Sequence, residues 1–330
     1  MKISSIIDII DGKLLNSPSI SFIYSFKTDV SKVKEGDLFI AYNLDDIHIA
    51  IQKGAFAIIL ANIYPITDNE IAWIKVENLN TSIIKLIRYK LAHFNLNAFY
   101  SNDISCEFLK TLSSISNKNI KILPKNLKNF ISTLENVDDK TFLISNDDKI
   151  LNKIYPNNTS FENENFIISN ILEHSLFETS FTFKDKYFQR VKIPSIYIES
   201  FIRVYEFLNI SELDDSKLKN SNLFKTVFLD KSLNIVEFGK SDKFLISSNN
   251  ISLVEKEVDY LKSKFTYGKI IYITSSYIDF LPKEQIVLKD ISELRNTLKN
   301  NSFNASYLVG FEFKEINQIL SKEEKELTLF

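Results

Sequence analysis

The stretch Ser31–Leu60 reads SKVKEGDLFIAYNLDDIHIAIQKGAFAIIL, and its pattern decides the fold. Asp37–Tyr42 and Phe56–Ala61 are short apolar runs, which predict two buried strands. Between them Ile47–Lys53 can form a helix, and Gly54 follows where helices often end in a left-handed glycine. A strand, a helix and a second strand in this order predict an α/β domain.

The same alternation extends to both sides of this stretch. Gly36, in K-E-G-D, is placed in the turn that begins the first strand. Short apolar runs predict further strands at Ala72–Val76, Thr141–Ser145, Lys243–Ile246, Lys269–Thr274 and Tyr307–Val309. Apolar residues at helical spacing predict helices at Thr81–Phe94, Phe108–Ile115, Ile196–Leu208, Ile251–Phe265 and Ile291–Asn300. Leu176–Lys184 and Tyr187–Ile193, separated by a polar break, predict a β-hairpin.

The length of the chain, 330 residues, is enough for two or three domains. We predict an N-terminal domain over residues 1–97, a central region over 98–212 and a C-terminal α/β domain over 222–330. The charged and polar segment Ser211–Ser221 is the best candidate for a linker. Helices between short buried strands predict a parallel sheet in the C-terminal domain.

Composition and charge exclude several classes of function. Apolar residues make up 45% of the chain and charged residues 25%, which is typical of a globular protein. The net charge is −2 and the lysines are scattered among acids, so we expect binding neither to nucleic acid nor to an anionic membrane. No apolar run is long enough for a membrane span, and the N-terminal MKISSIIDIIDGKLL lacks the pattern of a signal peptide. The sequence therefore predicts a cytoplasmic protein.

Residue types that carry common enzyme chemistry are sparse. The single cysteine, Cys106, excludes an intrachain disulfide and a thiolate metal cluster. None of the three histidines, His48, His93 and His174, has a partner histidine at helical spacing, so no metal site is predicted.

Nucleotide-binding motifs are also lacking. A P-loop needs G-x-x-x-x-G-K-S/T, and the closest match, Gly239-Lys240-Ser241, has Asn234 where the first glycine should stand. The adjacent carboxylates are more typical of solvated turns than of catalytic dyads; they are Asp45-Asp46, Asp138-Asp139, Asp147-Asp148 and Asp214-Asp215. We therefore predict no catalytic residue, no metal and no cofactor.

Two segments of the opening stretch, S-K-V-K-E-G-D-L-F-I-A and A-I-Q-K-G-A-F-A-I-I-L, resemble the N-terminal domain of the Mur ligases. These are the ATP-dependent amide-forming enzymes of peptidoglycan precursor synthesis. The family pattern is close to D-S-R-K-V-K-P-G-D-L-F-V-A, then a loop with D-G-H, then A-I-x-K-G-A-x-A-I-V-V. The matching residues are Asp29, Lys32, Val33, Lys34, Gly36, Asp37, Leu38, Phe39, Ala41, Ala50, Ile51, Lys53, Gly54, Ala55 and Ala57.

The resemblance implies a fold and a ligand. The fold is a Mur-ligase-like α/β architecture with an α/β N-terminal domain, a reduced central domain and a C-terminal Rossmann-like α/β domain. In the family the N-terminal domain binds the uridine diphosphate of the substrate. Carried onto this sequence, that site consists of Thr28, Asp29, Ser31, Lys32 and His48. The family's serine–arginine is Val30-Ser31 here, and the D-G-H loop is shortened to Asp45-Asp46-Ile47-His48.

The rest of the chain is similar in layout to the family member that adds D-alanyl-D-alanine, but the catalytic motifs differ. Residues 98–109, AFYSNDISCEFL, stand where the family has T-G-S-N-G-K-T-T-T-K-E, and they keep Glu107 without the glycines or the lysine. TFLISNDD at 141–148 resembles I-L-N-A-D-D. IPSIYIESF at 193–201 stands for L-P-G-x-H-N-x-x-N, and ISSNNIS at 246–252 stands near D-D-S-Y-N-A-N-P.

A preserved layout with lost motifs predicts a degenerate, catalytically inactive Mur-ligase-like protein. It would act as a binding or scaffold partner, with a regulatory role, in peptidoglycan precursor synthesis. Its partner would be a UDP-N-acetylmuramoyl-peptide or a cell-wall synthesis protein. One alternative is an active ATP-dependent ligase that adds D-alanyl-D-alanine to a UDP-N-acetylmuramoyl-tripeptide through unusual motifs. Another is an α/β protein retained for an unrelated interaction.

Overall fold

A computed structural model describes residues 1–213, 215–218, 221 and 223–321. The chain forms two compact units: the first contains Met1–Asn102 and Asn117–Asn163, and the second contains Asp103–Ser116 and the residues from Glu164 onwards. The three-domain division stays a prediction. Part of the linker candidate, residues 214, 219 and 220, lies outside the described residues, as does Asp214 of the last aspartate pair.

The N-terminal part of the first unit is a five-stranded sheet in the order β1-β5-β4-β3-β2. Its strands are β1 (Lys13–Leu14), β2 (Phe26–Lys27), β3 (Leu38–Ile40), β4 (Ala57–Leu60) and β5 (Ala72–Lys75). Its helices are α1 (Ile3–Ile10), α2 (Ile47–Gln52) and α3 (Leu79–Leu91). The strand–helix–strand predicted for the opening stretch is confirmed, because β3 and β4 are parallel neighbours joined through α2.

A second sheet in the first unit has four strands in the order β7-β8-β6-β9, and every pair is parallel. The strands are β6 (Asn97–Tyr100), β7 (Ile120–Ile122), β8 (Phe142–Ser145) and β9 (Asn158–Ser160). The helix α4 (Asp103–Leu112) follows β6 and belongs to the second unit, whereas α5 (Phe130–Thr133) and α6 (Asp148–Ile154) belong to the first. Parallel pairing places the carboxyl ends of all four strands at one edge.

The second unit contains two sheets. An antiparallel sheet consists of β10 (Ile168–Ser175), β11 (Glu178–Phe183) and β12 (Lys186–Val191), and the predicted hairpin is confirmed as β11 and β12. A six-stranded sheet has the order β14-β13-β15-β18-β16-β17. Its strands are β13 (Lys225–Leu229), β14 (Ile235–Val236), β15 (Phe244–Ser248), β16 (Ile270–Thr274), β17 (Ile286–Val287) and β18 (Ala305–Val309).

Helices accompany these sheets in the second unit: α7 (Ile198–Leu208), α8 (Asp215–Leu218), α9 (Ile251–Lys264), α10 (Leu294–Asn300) and α11 (Phe313–Ser321). The predicted parallel sheet is confirmed for β15, β18, β16 and β17, while β13 and β14 add an antiparallel edge. None of the helices in the described part of the chain has both the length and the apolar character needed to cross a lipid bilayer.

The helix predicted at Phe108–Ile115 is the clearest difference in bounds. It begins at Asp103 and ends at Leu112, and a 3-10 turn continues it over Ser113–Ile115. An aspartate in the first turn stabilises a helix through the helix dipole, and Ile104 is already buried. The earlier start leaves a short connection after β6.

Candidate functional site

The two glycines of the opening stretch are joined by a backbone hydrogen bond. Gly36 has φ +88° and Gly54 has φ +84°, which are left-handed values that favour glycine. The backbone N–H of Gly36 donates to the carbonyl of Gly54 at 2.9 Å. Gly54 follows the end of α2, and Gly36 precedes β3, as the sequence predicts. This bond therefore joins the turn that precedes β3 to the residues that follow α2.

Replacing Gly36 with alanine is expected to lower the free energy of unfolding by about 1–3 kcal/mol. A Cβ atom there would lie 2.0 Å from the Tyr24 ring, and the backbone is left-handed. In a Tyr24→Ala background the ring is gone, so only the backbone strain of about 1 kcal/mol should remain. Urea unfolding followed by Trp73 fluorescence measures both. Equal losses in the two backgrounds would contradict the steric part of this prediction.

Three of the predicted uridine-site residues are engaged in hydrogen bonds within the first unit. Asp29 caps a 3-10 turn over Val30–Lys32, and its carboxylate accepts hydrogen bonds from the Ser31 N–H at 2.9 Å and the Ser31 hydroxyl at 2.7 Å. These bonds lower the pKa of Asp29 below its usual value. Thr28 is 4% exposed and donates its hydroxyl to the carbonyl of Lys128 at 2.6 Å.

The other two predicted residues are exposed. Lys32 ends the same 3-10 turn, and His48 lies on α2, which packs against that turn. Lys53 anchors the turn by donating to the carbonyls of Val30 and Ser31 at 3.0 and 2.7 Å. The structure thus places four predicted residues on one segment and the fifth on the neighbouring helix. Binding of a uridine nucleotide by them stays a prediction.

The carboxyl edge of the four-stranded parallel sheet is a second candidate site, because ligands of open α/β sheets bind at this edge. After β6 come Ser101 and Asn102, and after β9 comes Glu162. The Glu162 carboxylate accepts hydrogen bonds from the Asn102 N–H and the Ser101 hydroxyl, both at 3.2 Å. Ser101 is buried. The Glu162 carboxylate is therefore already hydrogen-bonded to the Ser101 hydroxyl and the Asn102 N–H at the end of β6.

The residues between β8 and α6 form hydrogen bonds with one another and with the first turn of α6. Asp147 caps α6 by accepting from the Ile150 N–H at 2.9 Å, and its own N–H donates to the Ser145 hydroxyl at 3.0 Å. Asp148 lies in the first turn of α6. A cavity of about 470 Å³ beside this turn is also lined by Lys125. Among the described residues, no group of three or more His, Cys, Asp or Glu could hold a metal ion.

The turn after β6 differs from a phosphate-binding loop. Two residues, Ser101 and Asn102, separate β6 from α4, and neither is glycine or lysine. A phosphate-binding loop offers several successive N–H groups together with a lysine ammonium. In the second unit, α4 begins with Asp103, whose carboxylate accepts a hydrogen bond from the Ser252 hydroxyl. The sequence could not reveal Glu162 as a partner of Asn102, because 60 residues separate them.

These elements define the Mur-ligase fold as the class to which the structure conforms. Neither a family model nor a curated protein matches the chain by sequence. Solved structures of MurF ligases match over nearly the whole chain. MurF from Acinetobacter baumannii gives a TM-score of 0.55 at 11% identity, covering 97% of this chain and 99% of that one.

Two further solved structures of ligases also match the fold of this chain. The UDP-N-acetylmuramoylalanyl-D-glutamyl-2,6-diaminopimelate–D-alanyl-D-alanyl ligase from Acinetobacter baumannii gives a TM-score of 0.53 at 10% identity, covering 97% and 98% of the two chains. MurF ligase from Thermotoga maritima, solved in complex with ADP, gives 0.51 at 15% identity, covering 90% of this chain and 97% of that one. The chain therefore has a MurF-like fold, and the fold predicted from the sequence is confirmed.

Proposed function

We propose that this protein is a Mur-ligase-like protein that has lost ATP-driven ligation and acts as a binding or scaffold partner in peptidoglycan precursor synthesis. The observation that carries the proposal is the Glu162 carboxylate, which accepts from Ser101 and Asn102 at the end of β6. A negative charge at this point repels a phosphate group and competes with it for the same donors.

The loss of ligation follows from how phosphoryl transfer is catalysed. Transfer of the γ-phosphoryl group depends on cations and oriented N–H groups that stabilise negative charge. A single such donor lowers the activation barrier by about 3–4 kcal/mol in measured cases. In this chain the glycines and the lysine are replaced together, and a carboxylate is added.

A binding role is supported by the preserved N-terminal sheet. Its exposed Lys32 and His48 lie beside a capped turn, and an ammonium group there can pair with a phosphate of a nucleotide. The ligand we propose is a UDP-N-acetylmuramoyl-peptide, and a cell-wall synthesis protein is the proposed protein partner. A cytoplasmic location is part of the proposal, since it would give the protein access to such precursors.

Thermal unfolding with Mg-ATP tests the loss of ligation. We expect no rise in Tm with Mg-ATP, and no phosphate release when D-alanyl-D-alanine and UDP-N-acetylmuramoyl-tripeptide are added. MurF from Acinetobacter baumannii, assayed in parallel, is the positive control. Phosphate release that depends on both substrates would overturn the proposal and favour an active ligase with unusual motifs.

The uridine ligand is tested separately. UDP-N-acetylmuramoyl-tripeptide is expected to raise the Tm, and Lys32→Ala should weaken its binding about tenfold, the effect of one lost charge-assisted hydrogen bond. Lys34→Ala removes another exposed charge two residues away and should leave the affinity unchanged. Equal weakening by both variants, or no binding by the wild type, would contradict the assignment of the site.

A further inference from the structure

An apolar pocket in the first unit lies outside the sites described above. It has a volume of about 440 Å³, within the range of small-molecule sites. Residues of α3, of the segment leading into β2 and of the α5 region form its walls. The apolar side chains that determine its chemistry are Ile23, Phe26, Ile87, Phe94, Ile131 and Leu134.

The ammonium group of Lys90 indicates that the ligand of this pocket is an anion. Lys90 lines the pocket and donates to the carbonyls of Leu134 and Glu135 at 2.6 and 3.3 Å. An ammonium group has three N–H donors, so one donor is left for a ligand. Partial burial lowers the pKa of Lys90, and a bound anion would oppose this effect.

The surrounding charges favour an anion. Lys27 pairs with Glu135 at 2.5 Å, and that pairing lowers the pKa of the Glu135 carboxyl. Because Glu135, the acidic residue of the lining, is already paired with Lys27, a bound anion would meet the positive charge of Lys90 and not an unpaired carboxylate.

We propose that this pocket binds a small carboxylate with an apolar body, such as a medium-chain fatty acid. The apolar walls match a hydrocarbon body, whereas a nucleotide or a diphosphate would leave polar groups without partners. A single ammonium group with one available N–H suits a monoanion. The proposal is independent of the Mur-ligase role, since the lining of this pocket contains none of the predicted uridine-site residues.

Isothermal titration with decanoate and with decan-1-ol tests both parts of the ligand. We expect one decanoate per chain, bound about tenfold more tightly than the alcohol, because the carboxylate gains a charge-assisted hydrogen bond. Lys90→Met should reduce the decanoate affinity about tenfold and leave the alcohol unchanged. Arg88→Met removes an exposed charge from the same helix outside the pocket and should change neither.

If Lys90→Met does not fold, a second variant tests whether the ligands bind in this pocket. Ser25 also lines the pocket, and Ser25→Leu should fill part of it and weaken both ligands about tenfold. Circular dichroism checks the fold of each variant. Equal affinity for the acid and the alcohol, several ligands per chain, or undiminished decanoate binding by folded Lys90→Met or Ser25→Leu would overturn the proposal.

Discussion

Glu257→Ala is expected to lower the free energy of unfolding of the second unit by about 3–5 kcal/mol. Glu257 lies on α9 and is 1% exposed. Its two carboxylate oxygens accept hydrogen bonds from the hydroxyls of Tyr197 and Tyr307, and the Ser248 hydroxyl and the Phe224 N–H also bond to it. Alanine would leave these buried donors without an acceptor and would open a void.

Hydrogen exchange of peptides that cover α9, combined with urea unfolding by circular dichroism, measures this loss. Glu255→Ala is the matched control, because Glu255 is exposed on the same helix and its removal should change the free energy of unfolding by less than about 0.5 kcal/mol. A similar small effect of Glu257→Ala would show that the buried cluster does not stabilise the unit.

Glu257 should also make the free energy of unfolding depend on pH. Burial raises the pKa of the Glu257 carboxyl above the value of about 4.3 for an unfolded chain, so the folded state binds the proton more tightly. The contribution of Glu257 is therefore complete below that value and is lost as the pH rises through the folded pKa. Burial also raises the pKa values of Tyr197 and Tyr307, which keep their hydroxyl protons.

Glu257→Gln isolates this effect because glutamine does not titrate. The difference in free energy of unfolding, wild type minus variant, should fall as the pH rises from about 4 and then level off above the folded pKa. Urea unfolding of both proteins at several pH values between about 4 and 8 gives this difference. A difference that stays constant over this range would contradict a raised pKa.

Elements with a strong local pattern were predictable from the sequence. The strands β3 and β4, the helix α2 and the hairpin of β11 and β12 have apolar periodicity or turn residues within a few positions. The helix α1 was not predicted, although its buried residues Ile3, Ile6 and Ile10 have helical spacing. The helix has only eight residues, and its N-cap residue, Lys2, makes no side-chain capping hydrogen bond. Its sequence therefore has neither a long apolar periodicity nor a capping residue to indicate a helix.

The chemistry at the sites depends on contacts between residues that are distant along the chain, so a local sequence pattern cannot predict it. Asn102 and Glu162 are 60 positions apart, as are Tyr197 and Glu257. Glu162 lies in a polar segment and Glu257 on an amphipathic helix. The neighbouring residues do not indicate whether either carboxylate is exposed or bound to a buried donor. The tertiary packing of the strands and helices determines which of them meets a buried donor.

Phe39→Ala is expected to lower the free energy of unfolding of the first unit by about 3–5 kcal/mol. Phe39 lies in β3, is 0% exposed and belongs to the same apolar cluster as Trp73. Removing the ring leaves a cavity in a close-packed sheet face, where relaxation is limited. Trp73 is the only tryptophan, so its fluorescence during urea unfolding reports on this unit directly.

Phe22→Ala is the control, since Phe22 is 44% exposed and its loss should cost less than about 1 kcal/mol. Similar costs for both variants would contradict the burial argument. The prediction also bears on the resemblance to Mur ligases. Phe39 and its neighbours Leu38 and Ala41 match the family pattern and are buried in the sheet, so packing alone explains why they match. Ligand binding by this domain therefore has to be tested at the exposed Lys32 and His48, where packing does not dictate the side chain.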